Sequence, residues 1–225
     1  MTTHNQIKAN TSYLIKLFLS FCLLFSFTTP SLAQKDSVNS SNYLLIINSY
    51  TEAAPWSFRM ISAITEYTQT LPQLALYTEH MNMLMMDADS TLKEFKQTIL
   101  EKYRQHSPRM LILIGNSSMI LRDDFRKMWG NVPIILCAEE DYIGPKEFYL
   151  QKKPIDVTAR IPIADIAKPY NLTFLHSNFY IKENIELICR MTPHIKNFIF
   201  IGDERQNNQT YNTVIEQELA KDHPD

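Results

Sequence analysis

The sequence predicts an α/β fold built on parallel sheets, and three observations carry that prediction. Four apolar runs end abruptly in small or polar residues: Tyr43–Ile47 into Asn48-Ser49-Tyr50, Met110–Ile114 into Gly115-Asn116-Ser117-Ser118, Val132–Cys137 into Glu139-Glu140-Asp141, and Asn197–Ile201 into Gly202-Asp203-Glu204. The runs are continuously apolar, as expected of parallel strands covered by helices on both faces. Between them lie stretches with apolar residues three or four apart, which is the helical period. Strands alternating with helices at this spacing imply βαβ units, whose ligands bind beyond the carboxyl ends of the strands.

The elements follow in order. A strand over Tyr43–Asn48 leads to a helix with Pro55 in its first turn and Phe58, Ile61, Ile64, Tyr67 and Leu71 on one face. A second strand is expected at Leu74–Glu79. Thr91 and Glu94 have capping-box spacing and would open a helix that buries Leu92, Phe95, Ile99 and Tyr103, with Pro108 as its stop. Strand Met110–Ile114 precedes a helix carrying Met119, Ile120, Phe125, Met128 and Trp129, closed by Gly130-Asn131; strand Val132–Cys137 is fourth. From 142 to 169 the periodicity fades and Pro145, Pro154, Pro162 and Pro169 appear, so 142–169 reads as a segment crossing between two lobes. The rhythm resumes at 170–225 with strand Asn171–Leu175, a helix from Asn178 with Ile181, Ile185, Ile188 and Met191, strand Phe198–Ile201, and a helix carrying Tyr211, Val214, Ile215 and Leu219. Two such units cannot close a core of their own, so this second lobe is expected to be incomplete beside the first, 43–141.

Composition narrows the classes. With 22 basic and 24 acidic residues and a net charge of −2, no basic stripe marks a nucleic-acid partner. His80, His106, His176, His194 and His223 stand singly, so neither a metal site nor a cofactor is expected. Only four glycines are present, and no strand is followed by a dinucleotide-binding glycine fingerprint. At the N-terminus, Lys8 and Lys16 precede the apolar stretch from Leu17 to Phe27, and Ser31-Leu32-Ala33 has the form a signal peptidase accepts. Residues 1–33 are therefore expected to be a signal peptide delivering the rest outside the cytoplasm to the periplasm. The alternative is an uncleaved inner-membrane anchor, although the apolar run falls short of the ~20 residues that span a bilayer. Cys137 and Cys189 lie behind the leader, and the sequence leaves open whether they are bridged.

Asn48-Ser49-Tyr50 with Trp56, the Gly115-Asn116-Ser117 exit, Asn171-Leu172-Thr173, and Pro193 with Ile199-Phe200-Ile201-Gly202-Asp203 together carry a resemblance. From about Tyr43 onward the chain resembles the substrate-binding-protein-like family of ABC-transporter type, periplasmic-binding-protein-like, and in particular the exported sensor regions of bacterial two-component histidine kinases. The resemblance implies two Rossmann-like lobes with parallel sheets closing on a small polar solute. It also implies a membrane-anchored kinase or a transporter as partner. The chain departs from that pattern by ending inside the second lobe without a kinase segment.

The candidate ligand contacts are Ser49, Tyr50 and Thr51 at the first strand exit, Trp56 as an aromatic platform, Asn116 and Ser117 at the second helix entry, and the adjacent carboxylates Glu139 and Glu140. Free N–H groups at such exits favour polar ligand groups. Two neighbouring carboxylates repel each other unless solvent or a cation separates them. Asp203 is expected to face them from the second lobe, where the resemblance implies ligand contacts. No catalytic residue is expected. The competing reading is an exported serine hydrolase of α/β type: Gly115-Asn116-Ser117-Ser118-Met119 is half of a nucleophile elbow with Ser117 as nucleophile, but its second glycine is missing.

Overall fold

The computed structural model describes residues 42–177 and 180–202, with 208, 211–213 and 215–216 beyond them. The leader 1–33, Asn178, Asp203, Glu204, Val214 and Leu219 lie outside the described residues.

Five strands form one parallel sheet: β1 (Tyr43–Asn48), β2 (Ala75–His80), β3 (Met110–Ile114), β4 (Ile134–Ala138) and the strand Leu172–His176. In space the order is β2, β1, β3, β4 and then Leu172–His176. The chain reverses direction across the sheet between β1 and β3, which are neighbours with Leu45 opposite Leu111 and Asn48 opposite Ile114. Such a reversal point is where open α/β sheets offer a crevice.

Alternation along each strand divides the apolar side chains between two layers. Leu45, Ile47, Leu111, Leu113, Ile134 and Leu136 enter one core, which also receives Leu92 and Ile99 of helix α2 (Asp89–Lys102) and Phe125 of helix α3 (Arg122–Trp129). Ile46, Ile112, Ile114 and Cys137 enter the other, covered by Trp56, Met60, Ile61 and Ile64 of helix α1 (Pro55–Gln69). The central strands β1, β3 and β4 read as unbroken apolar runs because both their faces are roofed.

Helix starts depart from the expected chemistry. α2 begins at Asp89 behind Ala88 with no side-chain cap, so Thr91 lies inside the first turn and forms no capping box. The helix expected after β3 is two pieces, a 3-10 turn over Asn116–Leu121 and then α3. Ser118 explains the tighter turn, because its hydroxyl and its amide both donate to the Gly115 carbonyl, at 2.6 and 3.1 Å.

Residues 142–169 do not lead out of the sheet. They form a small antiparallel pair, β5 (Tyr142–Ile143) with β6 (Ile161–Pro162), around helix α4 (Lys146–Leu150), and are followed by helix α5 (Ile163–Ala167). Ile143, Tyr149, Leu150, Ile155 and Ile163 are buried in the same core as β1 and β3. The chain then returns as β7, the strand Leu172–His176, paired along β4 from Ile134 opposite Leu172 to Ala138 opposite His176. The strand expected to open a second lobe is thus the edge of the first sheet, since hydrogen-bond partners, which periodicity does not encode, decide where a strand belongs.

Helix α6 (Ile181–Met191) follows and buries none of its residues among those described. Phe198–Ile201, expected as a strand, pairs with nothing described, and Ile199 and Ile201 are 87% and 89% exposed. Residues 211–213 and 215–216 are helical, as the spacing there suggests. Cys137 is buried and Cys189 half-buried, both as free thiols.

Hydrogen exchange separates the two descriptions of β7. The alternate amides of β7 that donate to β4, together with that of Ser177, which donates to Ala138 at 3.1 Å, should exchange at least ~10-fold more slowly than those of 195–202. Equal rates in the two segments would show that β7 is not part of the sheet.

Candidate functional site

The carboxyl ends of β1, β3 and β4 meet around a cavity of about 130 Å³. Ser49, Tyr50, Thr51 and Ala54 line it behind β1, Asn116 and Ser117 behind β3, and Glu139 and Glu140 behind β4. Met83 and Leu84 contribute from the loop after β2; Tyr142, Tyr149, Lys152 and Ile155 close it from the β5–β6 excursion. The volume is below the ~300–1,000 Å³ common for drug-sized ligands, so it suits a small molecule.

Local hydrogen bonding explains the shape of each wall. Asn48 is fully buried; its side-chain oxygen accepts from Tyr50 N at 3.2 Å and its amide donates to His80 Nδ1 at 2.9 Å, which turns the chain directly after β1. Ser49 donates its amide to Ile114 O at 2.9 Å and its hydroxyl to Gly115 O at 3.3 Å. Gly115 has φ +88°, and a Cβ there would lie 2.9 Å from Ser49 Cβ, so only glycine allows the two exits to come so close.

Asn116 lines the cavity, but its side-chain amide is spent on the backbone. Its amide nitrogen donates to Glu140 O at 2.9 Å and Tyr142 O at 2.6 Å, and its oxygen accepts from Glu139 N at 2.8 Å and Glu140 N at 3.4 Å. Both donors and both acceptor sites of the amide are used. The residue holds the β4–β5 loop in place. Trp56 is elsewhere, because the first turn of α1 faces the sheet: the indole packs into the core under α1, edge-on to Tyr50 at 5.7 Å, and does not line the cavity. Tyr50 and Tyr149 supply the aromatic wall that the sequence assigned to it. Ser49 faces the cavity with its hydroxyl already engaged, whereas Ser117 is half-buried there with no imidazole bonded to it among the described residues. His176 donates Nε2–H to Glu139 O at 3.1 Å.

Electrostatically the β4 exit is the unusual part. Burial, and then the neighbouring charge of Glu139, push the Glu140 carboxyl up to about 7; Arg160 opposes this and Asp141 adds to it. Burial followed by Glu140 pushes the Tyr142 hydroxyl up to about 12, again against Arg160, whose guanidinium lies 4.3 Å from the centre of that ring. Tyr149 is held far above the ordinary phenol range by burial while its oxygen accepts from Gly144 N at 3.2 Å. Tyr211 is raised too, by burial and then by Glu139 and Glu140, which places its phenol within the field of the pair. The sequence named Asp203 for that role. Tyr149, Lys152 and Tyr211 were missed because they come from a segment without periodicity and from a helix whose partner the sequence does not reveal.

Among the described residues no group of His, Cys, Asp and Glu could hold a metal ion, and no helix is long and apolar enough to cross a membrane. Compared with models of known families, with curated proteins and with solved structures, the chain matches none.

Two outcomes test this geometry. Asn116→Ala strands four backbone partners and should lower stability by on the order of 3 kcal/mol in urea unfolding, while Ser117→Ala beside it should change it by less than ~0.5 kcal/mol; equal losses would contradict the clamp. For Glu140 the folded carboxyl keeps its proton to about pH 7, against 4.5 for its ordinary value. The folded state therefore binds more protons between these values, and stability falls as pH rises through that window. Glu140→Gln cannot ionise, so it should match wild type near pH 4 and exceed it near pH 8 by on the order of 1 kcal/mol, a figure reduced because the carboxyl is part-exposed. A difference independent of pH would mean that Glu140 has an ordinary pKa.

Proposed function

We propose that the chain is an exported binding domain for a small polar solute, of periplasmic-binding-protein type. Its roles would be ligand sensing for a membrane-anchored two-component kinase or delivery to an ABC-type transporter. The observation that carries this reading is the convergence of three consecutive strand exits on one cavity at the reversal point between β1 and β3. A ligand seated there would touch loops whose paths are held by buried hydrogen bonds, so the site is formed in advance.

In this reading α6 and the residues after it belong to a second lobe that closes over the cavity. The exposed Leu187, Ile188, Met191 and Ile199 on that stretch are consistent with a surface built to meet further protein. Tyr211, in that stretch, is under the influence of Glu139 and Glu140. Residues 1–33 would be the leader that directs export, with Gln34 as the first mature residue. The domain binds and does not catalyse, with Ser117 acting as a polar contact.

A thermal-shift panel of amino acids, amines, sugars and carboxylates tests the reading. A solute at 100 times its Kd stabilises by ~2.7 kcal/mol, so at least one class should raise the Tm of the wild-type protein by a few degrees. The shift should vanish in Ser117→Phe, which fills the cavity. If no class shifts the wild type, or if the variant shifts equally, the cavity is not a solute site.

A further inference from the structure

We propose that the ligand of this cavity is a small organic cation, a protonated amine on a short apolar or aromatic body, with its ammonium against Glu140 and its body against Tyr50, Tyr149 and Ile155. The inference rests on the solute-binding reading above and names the class of solute. The walls are mostly apolar or aromatic, with Ala54, Met83, Leu84 and Ile155 beside the tyrosines. That composition suits a compact hydrophobic body. It suits a sugar less well, since a sugar needs many hydrogen-bonding partners and the amide of Asn116 and the hydroxyl of Ser49 are already committed to the backbone.

The charged groups decide the sign. Two carboxylates, Glu139 and Glu140, line the cavity with one ammonium, Lys152, whose Nζ donates to Met86 O at 3.4 Å. Glu140 is faced by Glu139 and Asp141 from its own loop, by Tyr142, by Arg160 from beside β6, and by Tyr211. Among the described residues none donates a hydrogen bond to the Glu140 carboxylate or pairs with it as an ion. Arg160 acts on it only at a distance, stacked on the Tyr142 ring and donating Nε–H to Ile155 O at 3.2 Å. A part-buried carboxylate with no partner among the described residues is costly, and a bound ammonium removes that cost. A carboxylate ligand would add to it.

Calorimetric titration of the full chain tests this with three probes of one shape: phenethylamine, the alcohol phenylethanol and the acid hydrocinnamate. Near pH 8 the amine should bind at least ~10-fold more tightly than either analogue, and its affinity should fall ~10-fold near pH 5.5, where Glu140 is protonated. Glu140→Gln, checked for native circular dichroism, should erase both differences. Equal or tighter binding of the alcohol or the acid, no binding of any probe, or an unchanged amine preference in Glu140→Gln overturns the inference. If the alcohol or acid binds and Ser117→Phe abolishes it, the solute-binding reading stands without the cation. If no probe binds and the solute panel is also silent, both fall.

Discussion

The close approach of the β1 and β3 exits is the constraint on which the rest of the carboxyl edge depends. The Gly115 carbonyl receives the hydroxyls of Ser49 and Ser118 and the amide of Ser118. The two bonds from Ser118 close the turn after β3, the Ser49 hydroxyl ties that turn to the one after β1, and the missing side chain at Gly115 lets them meet. With this contact in place, Asn116 is delivered to the loop after β4. A larger residue at Gly115 would part the strands at the point where the cavity begins, and Asn116 would then fall short of the carbonyls it holds.

The chemical character of the site comes from the other end of the same chain of contacts. Once Asn116 has drawn in the backbone of Glu139 and Glu140, their side chains sit together beside the half-buried phenol of Tyr142 and the buried one of Tyr149. Burial and mutual repulsion follow from that placement. The excursion through β5, α4 and β6 supplies the apolar wall opposite, and its residues Ile143, Leu150 and Ile163 anchor it to the main core. One core thus supports both the sheet and the lid of the cavity's far side.

Much of this was legible in the sequence, because strand identity and strand exit are local properties. The apolar runs at 43–48, 110–114 and 134–138 are strands, and the polar residues that end them gather at one cavity. What stayed hidden depends on partners. Nothing in Leu172–His176 states that it pairs with β4, and nothing in Phe198–Ile201 states that it has no described partner. Asn116 was found as a site residue without its second task, the clamp on the loop after β4, since an amide's hydrogen bonds are not visible until the loop it holds is in place. Trp56 shows the complementary error, an aromatic residue assigned to a ligand when a bare sheet face lay closer.

Asn116 addresses only main-chain atoms of the loop it holds. The path of that loop is therefore indifferent to which side chains it carries. Substitutions at positions 139 and 140 can alter the charge and shape presented to a ligand while leaving the Asn116 clamp its main-chain partners. The fold separates the residues that build the site from those that choose its occupant, and that separation lets selectivity drift, or be engineered, at little structural risk.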